Sequence, residues 1–122
     1  MTNVTETRRR VLIAFKQLRK ENNLIARANY MCCTSCAGYQ ISEDLEAYEL
    51  KGKPKAGHVF WNRQSEQSFQ STGEVYLQFS GTNDDTVEVG RIIAKTLRDN
   101  GIVVEWNETP TQCIRVIGCM EE

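Results

Sequence analysis

Between Glu74 and Phe79 the chain alternates with a period of two: Val75, Leu77 and Phe79 point one way, Tyr76 and Gln78 the other. A strand patterned like this buries one face and leaves the other wet, so it belongs in a sheet covered on one side. His58 to Arg63 alternates in the same sense, with Val59 and Trp61 opposed to His58, Phe60 and Asn62. The two segments lie close in sequence, and antiparallel pairing between them is expected.

Helical periodicity supplies the cover. Asn3-Val4-Thr5-Glu6 resembles a capping box. Val11, Phe15 and Leu18 follow at helical spacing, widened by Leu12 and Ile13, and Asn22-Asn23 closes the helix. Leu24 to Asn29 reads as a short strand. Ser42-Glu43-Asp44 marks the next helix start, because acidic residues favour the positive end of the helix dipole. Leu45, Tyr48 and Leu50 are expected to pack that helix inward. Lys51 to Gly57 is a loop, and Gln64 to Thr72 a polar connector. Thr82-Asn83-Asp84-Asp85 opens a further helix with Val89, Ile93 and Leu97 as its stripe, and Gly101 is placed to cap it in the left-handed conformation. Ile102 to Trp106 and Cys113 to Ile117 are the last strands. The expected order is α-β-α-β-β-α-β-β. It describes a single α+β domain over residues 1–122, a two-layer sandwich of an antiparallel or mixed sheet of about five strands with helices packed on one face.

Composition narrows the function classes. The 122 residues are 40% hydrophobic and 25% charged, with fifteen basic and sixteen acidic side chains, a net charge of -1. That balance argues against a nucleic-acid binder, which carries a basic excess or stripe. The run Arg8-Arg9-Arg10, with Lys16, Arg19 and Lys20, is expected to be the solvated face of the first helix. No stretch approaches the roughly 20 apolar residues of a membrane span. No basic region leads into an apolar segment with a cleavage site, so a cytoplasmic location is expected. Five cysteines, an odd and modest number, fit reduced thiols, metal ligands or a redox pair better than a secreted disulfide scaffold.

Three of these cysteines stand together. Cys33-Thr34-Ser35-Cys36 is a C-x-x-C with Cys32 adjacent, and three readings of it stay open. As a zinc site, the motif lets two thiolates converge from a tight turn. Tetrahedral closure then needs further ligands from Cys32, Cys113, Cys119 or the single histidine, His58. As a redox pair, it requires a helix N-terminus to stabilise a thiolate; no confident helix precedes Ser42, and no βαβ pattern surrounds it. As packing, three small apolar thiols fill space.

Elsewhere, His58 has the pKa range of a general base but no Ser or Asp partner by spacing, and reads as a strand-surface residue. Phe60 and Tyr76 lie opposite Trp61 and Trp106, so both sheet faces carry aromatics. His58, Phe60, Arg63 and Tyr76 form a candidate binding surface, with Gln64 and Glu105 as a polar rim. Phosphate-binding loops, a dinucleotide fingerprint, a nucleophile elbow and a zinc-protease helix motif do not occur.

Set in order, residues 28–37 (Ala-Asn-Tyr-Met-Cys-Cys-Thr-Ser-Cys-Ala), 57–64 (Gly-His-Val-Phe-Trp-Asn-Arg-Gln), 73–77, Val89-Gly90 and 101–106 resemble an uncharacterised bacterial domain-of-unknown-function family. The resemblance spans about residues 8–117. Its most specific part is the Cys-Cys-x-x-Cys block, followed by a Gly-x-Val-Phe-aromatic strand. It implies no activity and carries over no catalytic residue. Cys113 and Cys119 lie outside its pattern, leaving Cys32, Cys33 and Cys36 as the metal candidates. The expectation is a small bacterial or phage protein without a closed catalytic group. It would act as an interaction module of regulatory or immunity type with a protein partner; the alternative is a zinc or redox site on the three thiols.

Overall fold

The computed structural model describes residues 4–82 and 84–120. Asn3 and Asn83, expected at two helix starts, lie outside the described residues. Helix α1 (Val4–Glu21) buries Val11, Ala14, Phe15 and Leu18, the stripe its spacing predicts. Asn23, at φ 57, turns the chain into β1 (Leu24–Arg27). Helix α2 (Thr34–Leu50) crosses to β2 (Gly57–Phe60), which lies parallel to β1. Helix α3 (Arg63–Thr72) leads to β3 (Val75–Gly81), antiparallel to β2. Helix α4 (Thr86–Asp99) precedes the hairpin of β4 (Ile102–Glu105) and β5 (Ile114–Cys119), and β5 inserts between β3 and β4. The sheet is mixed, in the order β1-β2-β3-β5-β4.

The α+β sandwich with its five-stranded sheet is the expected one. The main core joins Val11, Phe15 and Leu18 of α1, Phe69 of α3 and Val89, Ile93 and Leu97 of α4 to Leu24, Val59, Leu77, Ile114 and Val116 of the sheet, with Trp61 beside them. These three helices cover one face. On the other face α2 seats Ala37 and Ile41 on Phe60, with Tyr30 and Leu45 alongside, a smaller second core over the β1–β2 end.

Several local expectations change. Residues 64–72 are helical, although Phe69 is their one large apolar residue. The boundaries explain this: Asn62 caps the helix by accepting from the Ser65 N–H at 2.9 Å, and Gly73 closes it at φ 78. Helix α2 begins eight residues before Ser42, because Cys33 is extended and takes the cap position. Ser42, Glu43 and Asp44 are then mid-helix, where Ala37, Ile41 and Leu45 run through at four-residue spacing. Leu50 is 81% exposed and does not pack inward. Strand β1 stops at Arg27, because Asn29 (φ 48) and Met31 (φ 63) are left-handed. Gly101 does cap α4 at φ 78, as expected.

Gly90 on α4 is required for a different reason, close approach. A methyl there would sit 2.5 Å from the Trp106 ring and 2.7 Å from that of Phe79. Those two rings meet edge-on with centroids 5.4 Å apart, closing the core at the β4 end.

The arginine run of α1 is engaged by carboxylates. Glu6 takes Arg9 (Nη2 to Oε1 2.5 Å) and Arg10 (Nε to Oε1 2.9 Å), while Arg8 donates to Glu66 at 2.7 Å. Glu66 is itself 4% exposed. It accepts from the Trp61 indole at 2.5 Å and from Gln70 at 2.9 Å, tying α1, the end of β2 and α3 together at one carboxylate.

Candidate metal centre

Cys32, Cys33 and Cys36 meet at the C-terminal end of β1. The segment between β1 and α2 is pinned on both sides. The Trp61 N–H donates to the Arg27 carbonyl at 3.3 Å, the Tyr30 N–H to the Trp61 carbonyl at 2.8 Å and the Arg63 N–H to the Met31 carbonyl at 3.0 Å. These bonds carry the β1–β2 ladder past the strand ends and hold the two left-handed residues in place. Each such non-glycine conformation costs roughly 1–2 kcal/mol, so the tertiary contacts must over-determine it. The chain reverses there, and Cys32 returns over the first turn of α2.

The sulfurs form a triangle. Cys32 Sγ lies 3.5 Å from Cys36 Sγ and 3.8 Å from Cys33 Sγ, and all three are within 4.8 Å of one another. Cys32 is exposed, the other two half-buried, and all are free thiols. Their protons are unequal. The Cys36 backbone N–H, then the Cys36 and Cys32 thiols, hold Cys33 below its ordinary value, whereas hydrogen bonding to Cys32 and then Cys33 pushes Cys36 up to about 11. Three crowded thiols cannot all ionise alone; a divalent cation between them removes that repulsion.

Among the described residues no histidine or carboxylate joins the group. Asp44 is occupied, accepting from the Tyr30 hydroxyl at 3.3 Å and from Gln40 at 3.1 Å. Cys119 is buried against the main core at the end of β5, and Cys113 lines a surface hollow with Trp106 and Tyr76. Neither lies under the Cys32–Cys36 loop, so a zinc site closed by them does not form. The βαβ unit that the redox reading lacked is present as β1-α2-β2. Its three elements stand in order in the sequence, but neither the parallel pairing of β1 with β2 nor a helix start at the thiols themselves is visible there.

The expected binding surface is divided. Phe60 is 2% exposed, covered by Ala37 and Ile41. His58 stacks on Phe60, centroids 5.9 Å apart. Arg63 is exposed at the start of α3. Tyr76 is 56% exposed on β3, opposite Arg115, whose guanidinium lies 5.9 Å from its ring and pairs with Glu74.

Burial pulls His58 down to about 4 from an ordinary 6.5. The unfolded chain takes its proton near 6.5, the folded chain only near 4, so stability falls as pH drops through that window. The loss approaches roughly 3 kcal/mol by pH 4. Urea unfolding midpoints measured between pH 7 and 4.5 should fall steadily, and His58→Gln should flatten this limb. An unchanged slope in the variant would place the acid sensitivity elsewhere.

The arrangement defines an α+β domain with a surface thiol cluster at the carboxyl end of its parallel strand pair. The family model "Domain of unknown function (DUF6891)" matches residues 3–119, and the chain belongs to that family. Neither any curated protein nor any solved structure matches it. No helix among the described residues is long and apolar enough to cross a membrane.

Proposed function

We propose that this protein binds a soft divalent metal, zinc first among them, through Cys32, Cys33 and Cys36. One observation carries the reading: three sulfurs held together with edges of 3.5 and 3.8 Å. Zinc–sulfur bonds of about 2.3 Å in a tetrahedron set sulfurs about 3.8 Å apart. The triangle therefore accepts the ion with little movement, and a redox pair would need only two of its corners. The protein acts by binding, in keeping with an interaction or regulatory module, and reduced thiols suit a cytoplasmic setting.

The test is metal content by mass spectrometry on protein purified without an affinity metal, beside a native thiol titration. About one zinc per chain with three shielded thiols is the expected result for such a site. Metal-free protein with unreactive thiols would make the cluster packing. A second reading has its own support: Cys33 occupies the N-cap position of α2 and Cys36 lies in its first turn, the placement of a dithiol redox pair. Metal-free protein that forms a Cys33–Cys36 disulfide under mild oxidant would select it and overturn the metal reading.

A further inference from the structure

We propose that the metal held by Cys32, Cys33 and Cys36 takes its fourth ligand from outside the chain, and that this ligand is a thiolate. The inference rests on the metal reading above and adds the partner chemistry of the same site.

Three sulfurs supply three corners of a tetrahedron, and no other cysteine, histidine or carboxylate among the described residues has a ligand atom in the group. Each internal candidate has a place elsewhere. The Asp44 carboxylate is held by Tyr30 and Gln40. The His58 ring lies against Phe60, inside the second core's sheet face. Cys119 ends β5, separated from β1 by β2 and β3; at about 4.8 Å per strand that is roughly 14 Å across the sheet.

The cluster is accessible, since Cys32 is exposed and the other two thiols half-exposed. It is also assembled in advance, by the backbone bonds that pin residues 27–31 to Trp61 and Arg63. An assembled, surface-facing set of three ligands leaves the fourth position exchangeable. The chemistry at that position is soft: three thiolates select ions that prefer a further thiolate over hard oxygen. Charge permits it, because the site lies on the N-terminus of α2, where the first-turn N–H groups and helix dipole offset added negative charge. In the exchange a thiol coordinates through sulfur, its proton passes to solvent, and the water it displaces leaves the metal; no electron moves. Two sources share this chemistry: a low-mass thiol, or a cysteine of a second copy of the chain.

The test loads the full chain with cobalt(II), whose sulfur-to-metal absorption counts thiolates, and titrates it with reduced glutathione. Expected is a saturable rise of about one third in that absorption, four metal–sulfur bonds against three, with a ternary complex in native mass spectrometry. If a second copy supplies the thiolate, the same rise appears on concentrating the protein without glutathione, together with dimer; this too supports the proposal. Cys113→Ser should leave the glutathione response intact, and loss of the concentration response alone in that variant would name Cys113 of the second copy as the donor. A four-thiolate spectrum already present in dilute monomer, a three-thiolate spectrum unmoved by both titrations, or a glutathione response lost in Cys113→Ser would each overturn it. Failure to bind cobalt at all would sink the metal reading itself, whereas cobalt bound without response sinks only the exogenous thiolate.

Discussion

Replacing two of the three clustered thiols, Cys33→Ser with Cys36→Ser, should lower zinc affinity by about four orders of magnitude while leaving the fold in place. Structural zinc sites bind with apparent energies of about 10–16 kcal/mol over four ligands, so each thiolate carries about two decades of affinity. The fold should survive because both sulfurs are half-exposed and outside the main core. The main core closes through Phe15, Trp61 and Phe69, whose rings pack with centroids 5.2 and 5.3 Å apart, without any help from the thiols. Competition with a chromophoric chelator measures the first quantity and urea unfolding of the metal-free proteins the second. A metal-free variant destabilised by about 1–3 kcal/mol, as for an ordinary core change, with zinc affinity unaltered, would show the thiols to be packing. The single variant Cys32→Ser separates the readings further: it should cost a metal site about two decades yet leave a Cys33–Cys36 dithiol chemically intact.

The regular elements were legible where burial is one-sided. Val75, Leu77 and Phe79, or Val89, Ile93 and Leu97, repeat with a single period because one partner surface sets it. The same logic failed where boundary chemistry determines the structure. Helix α3 has one large buried apolar residue, and its evidence was the bracket of Asn62 and Gly73 rather than a stripe. The start of α2 was hidden because the residue at its cap position is Cys33, a poor capping signal, whereas Ser42 and its acidic neighbours imitate a start. The same displacement of the start hides the geometry that puts Cys33 and Cys36 on a helix N-terminus. The C-x-x-C itself was visible. Its convergence with Cys32 was not, since this depends on left-handed residues at Asn29 and Met31 and on backbone bonds to a segment more than thirty residues away. Nor did the sequence show that Glu66, in an apparently polar connector, is a buried carboxylate at 4% exposure.

That carboxylate carries the largest stability prediction. Glu66→Ala should destabilise the domain by about 2–4 kcal/mol, from a buried indole donor left without its acceptor and a part-exposed guanidinium left without its partner. The cost comes from what is left behind. The Trp61 indole N–H, on a side chain with 0% exposure, loses its acceptor, and Arg8, at 32% side-chain exposure, loses its counter-charge. Glu66→Gln keeps the shape and one acceptor oxygen, so it should cost less, about 1–3 kcal/mol. The pH dependence separates charge from shape. Burial alone would raise the Glu66 carboxyl; the hydrogen bonds from Gln70, Trp61 and Arg8 and the Arg8 charge outweigh it and hold the group below its ordinary 4.5. A carboxylate lowered in the folded state contributes stability above its unfolded pKa and loses it as pH falls through the folded one. The wild type should therefore lose a second increment of stability below pH 4.5, beneath the limb set by His58, and Glu66→Gln should lack that increment. Urea midpoints from pH 7 to 3 for the wild type, Glu66→Gln and His58→Gln resolve the two limbs. If Glu66→Gln retains the lower limb and matches the wild type in stability at neutral pH while Glu66→Ala keeps its cost, the side chain acts by volume, and the node joining α1, β2 and α3 is packing rather than charge.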